Sequence, residues 1–161
     1  MSPKNVFEYP EFNEEEPEII EVNQTDKWKL IESGQFGATT GLGPCVGVIL
    51  YDPDTKRAFV GHFIDPRIKY FEDMLTEAKK LFGDLKKVKV YVGGGAFNPD
   101  DAPDFTDDKE IRRFVEDKLA ENGFQDLKIN YHNSTDSTVL SIDTKTGNVE
   151  YDTRSDFGNE E

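Results

Sequence analysis

The chain has 161 residues, 35% of them hydrophobic, with 12 Phe, 6 Tyr and one Trp, which suits a single domain with its own core and is short for two. Its formal charge of −14 opposes binding to nucleic acid or to an anionic membrane, and no window has the length and apolarity of a membrane span. A single cysteine excludes an internal disulfide framework and favours a reducing compartment; with no apolar stretch of signal-peptide length at the start, a cytoplasmic location is expected.

The charge is concentrated. Residues 1–26 carry eight acids against Lys4, a net of −7; residues 98–108 carry −5 and residues 150–161 carry −4, leaving +2 on the remainder. The expected organisation is an acidic, disordered tail over 1–26, a folded domain over 27–152 and an acidic C-terminal tail over 153–161. Phe7, Tyr9, Phe12, Ile19 and Ile20 keep open a binding role for the first tail, since a purely solvating segment has little use for them.

After the tail, Trp28 to Ile31 reads as a short strand and Ser33-Gly34-Gln35-Phe36-Gly37 as a loop. Val46 to Tyr51 and Arg57 to Ile64 are β-branched apolar runs joined by the turn sequence Asp52-Pro53-Asp54-Thr55, and so form a hairpin. Asp65-Pro66 supplies an N-cap and a proline at the first helical position, and Ile68, Phe71, Leu75, Ala78 and Phe82 recur at helical spacing until Gly83. Lys87 to Val92 is a strand running into Gly93-Gly94-Gly95. Residues 98–108 form an acidic loop, and Asp107 with Glu110 makes a capping box for a helix carrying Ile111, Phe114, Val115 and Leu119. Leu127 to Tyr131, Thr138 to Ile142 and Asn148 to Tyr151 are further strands, the last two joined by a turn over residues 143–147. This order implies an α+β sandwich of mixed sheets covered by two helices.

The lone Cys45 follows a glycine-rich stretch and opens an apolar run. If the hairpin loop has four residues, Tyr51 pairs with Lys56 and Cys45 falls opposite His62, one of two histidines in the chain. Directly opposed residues share a face with Cβ atoms ~4.5–5.5 Å apart. A one-residue slip would separate them. The pairing matters because the thiolate is the nucleophile, and an imidazole can both draw off the thiol proton and return it to a departing amine. Gly41 and Gly43 would let a substrate backbone approach, and the Cys45 N–H could face an oxyanion, whereas Pro44 has no N–H to offer. The residues alone leave a second reading open, a packed cysteine beside a satisfied histidine. A Cys/His zinc site lacks ligands.

The run Thr39-Thr40-Gly41-Leu42-Gly43-Pro44-Cys45, the apolar strand and Asp-Pro turn after it, and Gly61-His62-Phe63 before Pro66 resemble the chemoreceptor glutamine deamidase family CheD. That family carries a T-x-G-L-G-S-C-V segment and a histidine at this interval from the cysteine. Val92-Gly93-Gly94-Gly95-Ala96-Phe97 is similar to its G-G-A-x-M-F segment, and Thr144-Lys145-Thr146-Gly147 to its T-G-x-V turn; the likeness covers residues 28–152. It implies an α/β/β/α sandwich, as in the deamidating domain of cytotoxic necrotizing factor toxins, and hydrolysis of a protein glutamine carboxamide to glutamate with release of ammonia. Cys45 would be the nucleophile, His62 the general base and acid, and Thr39 the residue that positions the histidine or substrate. Gly41, Gly43, Pro44 and Gly94 would line the substrate and oxyanion region. No cofactor or metal is implied. The partner would be a protein bearing a reactive glutamine, with no nucleic acid and no membrane insertion.

Several segments depart from the family pattern. Pro44 replaces a serine, residues 108–113 replace an I-G-x-R-N segment, residues 132–138 replace T-G-G-N-x-x-R, and the acidic extension has no counterpart. These differences admit a substrate other than a chemoreceptor, such as a host protein reached by a delivered effector, and a non-catalytic adaptor that keeps the fold. The triple glycine lacks the Gly-Lys-Ser/Thr of a phosphate loop, and His132 reads as a surface residue.

Overall fold

A computed structural model describes residues 18–95, 106–131 and 137–154. His132 and residues 98–105 of the acidic loop lie outside them, as do residues 1–17 and 155–161. The strands are β1 (Ile19–Glu21), β2 (Trp28–Ile31), β3 (Phe36–Leu42), β4 (Val46–Asp52), β5 (Arg57–Phe63), β6 (Lys89–Gly94), β7 (Asp126–Tyr131), β8 (Ser137–Asp143) and β9 (Asn148–Arg154). The helices are α1 (Lys69–Leu81) and α2 (Thr106–Glu121), with a 3₁₀ turn at Leu85–Lys87.

The strands make two mixed sheets, one of five in the order β2-β5-β4-β6-β7 and one of four in the order β1-β3-β8-β9. Only β6 with β7 and β1 with β3 are parallel pairs. The β6-α2-β7 unit is the crossover that a parallel pair requires, since a tight turn cannot reverse the chain twice. The fold is the expected α+β sandwich of two mixed sheets with two helices.

The central strand β4 is buried along its whole length, because each of its faces meets a different layer. Val46, Val48 and Leu50 pack with Phe59 and Phe63 against Phe71, Met74, Leu75 and Ala78 of α1 and Val115 and Leu119 of α2. The alternate residues Ile49 and Tyr51 pack with Val60, Leu42, Leu140 and Ile142 between the sheets. Both helices thus cover the same outer face. Among the described residues the layers run helices, five-stranded sheet, four-stranded sheet, and the fourth layer of the implied α/β/β/α order carries no described helix.

Three local expectations are corrected. First, β3 begins at Phe36 within the expected loop and continues to Leu42, and β1 forms from residues 19–21 of the acidic segment. Gly37 and Gly41 interrupt the apolar alternation of β3 and hide it. Second, α1 begins at Lys69 with Ile68 as its N-cap residue. The Asp65 carboxylate instead accepts from the Arg67 N–H at 3.0 Å and from its guanidinium, and the Asp65 carbonyl closes a turn with the Ile68 N–H at 3.0 Å. Asp65-Pro66 therefore caps a turn ahead of the helix, and Ile68 is 52% exposed instead of core. Third, α2 begins at Thr106 and already includes Asp107 as its second residue, so the expected capping box does not precede the helix.

Candidate active site

The β4–β5 hairpin sets the site. Its turn places Lys56 in the left-handed region (φ 58°) and bonds the Lys56 N–H to the Asp52 carbonyl at 2.8 Å. The Asp52 carboxylate holds the Asp54 N–H at 3.1 Å and the Thr55 hydroxyl at 2.9 Å. The ladder consequently closes at Asp52↔Arg57, and Gly47, not Cys45, stands opposite His62. This corrects the expected register. Because the displacement is two residues along the partner strand, facing is preserved: Cys45 and His62 still belong to the inter-sheet side. Cys45 packs with the inter-sheet cluster and is half-buried.

Thr39 reaches the same space from the other sheet. It pairs with Leu140 on β8, and the next pair in the ladder is Leu42↔Thr138, so one extra residue is accommodated on β3. Gly41, at φ +71°, supplies the left-handed conformation of this bulge. The bulge lets both Thr39 and Leu42 be fully buried, although strict alternation would turn one of them outward. Leu42 fills the room beside Gly47, where a Cβ would stand 2.5 Å from a Leu42 methyl.

Thr39 Oγ1 and His62 Nδ1 are 2.8 Å apart in a buried hydrogen bond that bridges the sheets. If Nδ1 carries the proton and donates to Thr39, Nε2 is left with its lone pair, the form a general base requires. The main chain of His62 is also fixed, its N–H donating to the Lys27 carbonyl at 2.8 Å. Burial pushes the Cys45 thiol above its ordinary pKa and the His62 imidazole below its own. Both groups therefore rest neutral at pH 7.

The glycine-rich stretch divides into two kinds of position. At Gly43 a Cβ would meet nothing within 4 Å, and the Gly43 N–H bonds the Gly41 carbonyl at 3.1 Å. With Pro44 lacking an N–H, the Cys45 N–H is the nearest backbone donor to the thiol in sequence. At Gly94, by contrast, a Cβ would lie 2.4 Å from the Cys45 carbonyl oxygen and 2.9 Å from Leu42 Cβ, with φ at +77°. Gly94 is thus a close backbone passage against the cysteine. The Gly95 N–H donates to the same Cys45 carbonyl at 2.9 Å.

Sequence reasoning missed Leu42, Gly47, Tyr131 and Arg112 as neighbours of this region. Leu42 and Gly47 are within five residues of Cys45, but only the bulge shows that they touch. Among the described residues, no group of three or more His, Cys, Asp and Glu could hold a metal ion, and no helix is long and apolar enough to cross a membrane.

No family model matches the chain. Over 78 residues it is 33% identical to the probable chemoreceptor glutamine deamidase CheD of Archaeoglobus fulgidus; the match takes in 41% of this chain and 50% of that protein. The chain thus matches about half the length of this relative. Among solved structures, it is similar to the hypothetical protein YfiH of Bacillus licheniformis, with a TM-score of 0.50 and 14% identity over 77% of this chain and 62% of that one. It also aligns with the Neisseria meningitidis protein NMB0706, with a TM-score of 0.48 and 10% identity over 74% and 65%. The first structural likeness concerns the fold alone.

Proposed function

We propose that the chain is a cysteine-dependent protein glutamine deamidase. The observation that carries this reading is the buried Thr39–His62 hydrogen bond: with the proton on Nδ1, Nε2 keeps the lone pair of a general base, and Cys45 belongs to the same side of the sheet. The partial CheD relative supports the same reaction class.

In this mechanism, His62 Nε2 takes the Cys45 proton as Sγ attacks the carboxamide carbon, and the C=O electron pair moves onto oxygen. The Cys45 N–H donates to that oxyanion. Collapse expels ammonia with the proton returned by His62, leaving a thioester. A water deprotonated by Nε2 then attacks the thioester, and the glutamate product and free thiol are released. Because the resting pair is neutral, proton transfer accompanies attack instead of preceding it. Positioned proton transfer of this kind contributes on the order of 10²–10⁴ in rate. A glutamate methyl ester would react by the same steps with methanol as leaving group. The substrate class is a protein in the cytoplasm, and a chemoreceptor glutamine is the first to test, with host proteins as the second set.

A second reading, a non-catalytic adaptor, is favoured by one observation: burial alone acts on both groups, keeping Cys45 protonated. Ammonia release and a Gln-to-Glu mass change on candidate substrates, repeated with Cys45→Ser, separate the two. Deamidation abolished in that variant supports the enzyme, and turnover that persists without the thiol eliminates the mechanism.

A further inference from the structure

We infer that Arg112 of α2 is a positioning residue for Cys45, acting through the main chain of Gly95; the inference rests on the deamidase reading of the site. Arg112 donates from Nε and Nη2 to the Gly95 carbonyl oxygen at 3.0 and 2.7 Å. The Gly95 N–H in turn donates to the Cys45 carbonyl at 2.9 Å. One residue therefore links a helix on the outer face to the backbone of the candidate nucleophile.

The brace is held at each step. The Arg112 guanidinium lies over the Tyr131 ring, 4.6 Å from its centroid, and the Tyr131 hydroxyl donates to the Arg112 carbonyl at 3.2 Å. Gly95 is at φ +61°, and a Cβ there would press on the Tyr131 ring at 3.0 Å. At Gly94 there is no room for a side chain, since a Cβ would stand 2.4 Å from the same Cys45 carbonyl oxygen. A carbonyl held in this way fixes the Cys45 ψ angle, and with it the line of the Cys45–Val46 peptide from which the thiol is presented. β4 begins at Val46, and the Gly95 bond continues the antiparallel Val46↔Gly94 register by one residue, so the end of β6 that Arg112 holds supplies the constraint on Cys45. The fork geometry explains why the residue is arginine, since lysine offers a point charge that cannot donate twice in one plane.

The test uses the full chain and its Arg112→Met and Arg112→Lys variants, with Arg113→Met, an exposed neighbour on the same helix, as control. The measurements are amide hydrogen exchange at Gly95 and the rate of Cys45 alkylation by iodoacetamide from pH 6 to pH 10, both well below the unfolding midpoint. The expected result is Gly95 exchange about tenfold faster and a displaced alkylation profile in Arg112→Met, an intermediate response in Arg112→Lys and none in Arg113→Met. Wild-type Gly95 exchange, or an unchanged alkylation profile, in Arg112→Met overturns the inference. A His62→Ala arm separates this from the deamidase reading: alkylation indifferent to His62 counts against the dyad, while Gly95 exchange still decides the brace.

Discussion

Thr39 on one sheet and His62 on the other meet at 2.8 Å between Oγ1 and Nδ1, in a site where both residues are buried. Replacing Thr39 with Val keeps the shape and leaves Nδ1 without its partner. A buried polar group so stranded costs about 1–3 kcal/mol. Thr39→Val is therefore expected to lower the unfolding free energy from urea titration by that amount and, on the deamidase reading, to abolish turnover, while Thr39→Ser retains most of both. A Thr39→Val protein with wild-type stability would show that the bond contributes nothing.

His62 predicts the acid side of the stability curve. Burial lowers its folded pKa, so as pH falls through the unfolded value of about 6.5 the unfolded state binds the proton first and the folded state loses ground. The loss continues until the folded pKa is reached. His62→Gln removes this component. The stability difference between wild type and His62→Gln should shift against wild type below pH 6.5, and a pH-independent difference between pH 7.5 and pH 5 would contradict the buried neutral imidazole.

Cys45 predicts the alkaline side. Its folded pKa is raised by burial, so above about pH 8.5 the unfolded thiol ionises first and wild type is destabilised. Cys45→Ser should show a smaller loss between pH 8 and pH 10 in thermal unfolding. Parallel curves for the two proteins would mean that the thiol is not desolvated.

Two glycines in the same region should respond in opposite ways. Gly94→Ala forces a Cβ to 2.4 Å from the Cys45 carbonyl oxygen at φ +77°, and is expected to cost more than about 2 kcal/mol and to disturb alkylation of Cys45. Gly43→Ala meets open space and should stay within about 0.5 kcal/mol of wild type. Equal effects at the two positions would refute the close passage at Gly94.

Tyr51 offers a control for the inter-sheet layer away from the site. Its hydroxyl donates to the Thr144 carbonyl at 2.8 Å. Tyr51→Phe should cost about 1 kcal/mol and leave the alkylation profile of Cys45 unaltered. A changed profile would place Tyr51 in the same unit as the cysteine.

Much of the hairpin, both helices and β7 to β9 was legible because each carries its own periodicity. The five buried side chains Phe71, Met74, Leu75, Ala78 and Phe82 include four that helical spacing marked. The registers were less accessible. Lys56 adopts a left-handed conformation that is unusual for lysine, and that single residue moved the partner of His62 from Cys45 to Gly47. β3 was obscured by Gly37 and Gly41, whose lack of a side chain removes the signal on which an alternation pattern depends.

The sequence by itself determined the types of residue available for chemistry, the single thiol, the histidine 17 positions after it and the threonine six before it, together with the elements whose side chains repeat at a fixed period. Only the tertiary structure decided that Thr39 and His62 meet from different sheets, that the Cys45 carbonyl leaves no room for a Cβ at Gly94 and that Arg112 reaches the same backbone through Gly95. The physical reason is separation along the chain. Periodicity reports how a residue lies relative to its near neighbours, whereas these contacts depend on a turn conformation, a bulge and a helix crossover that bring distant segments into register.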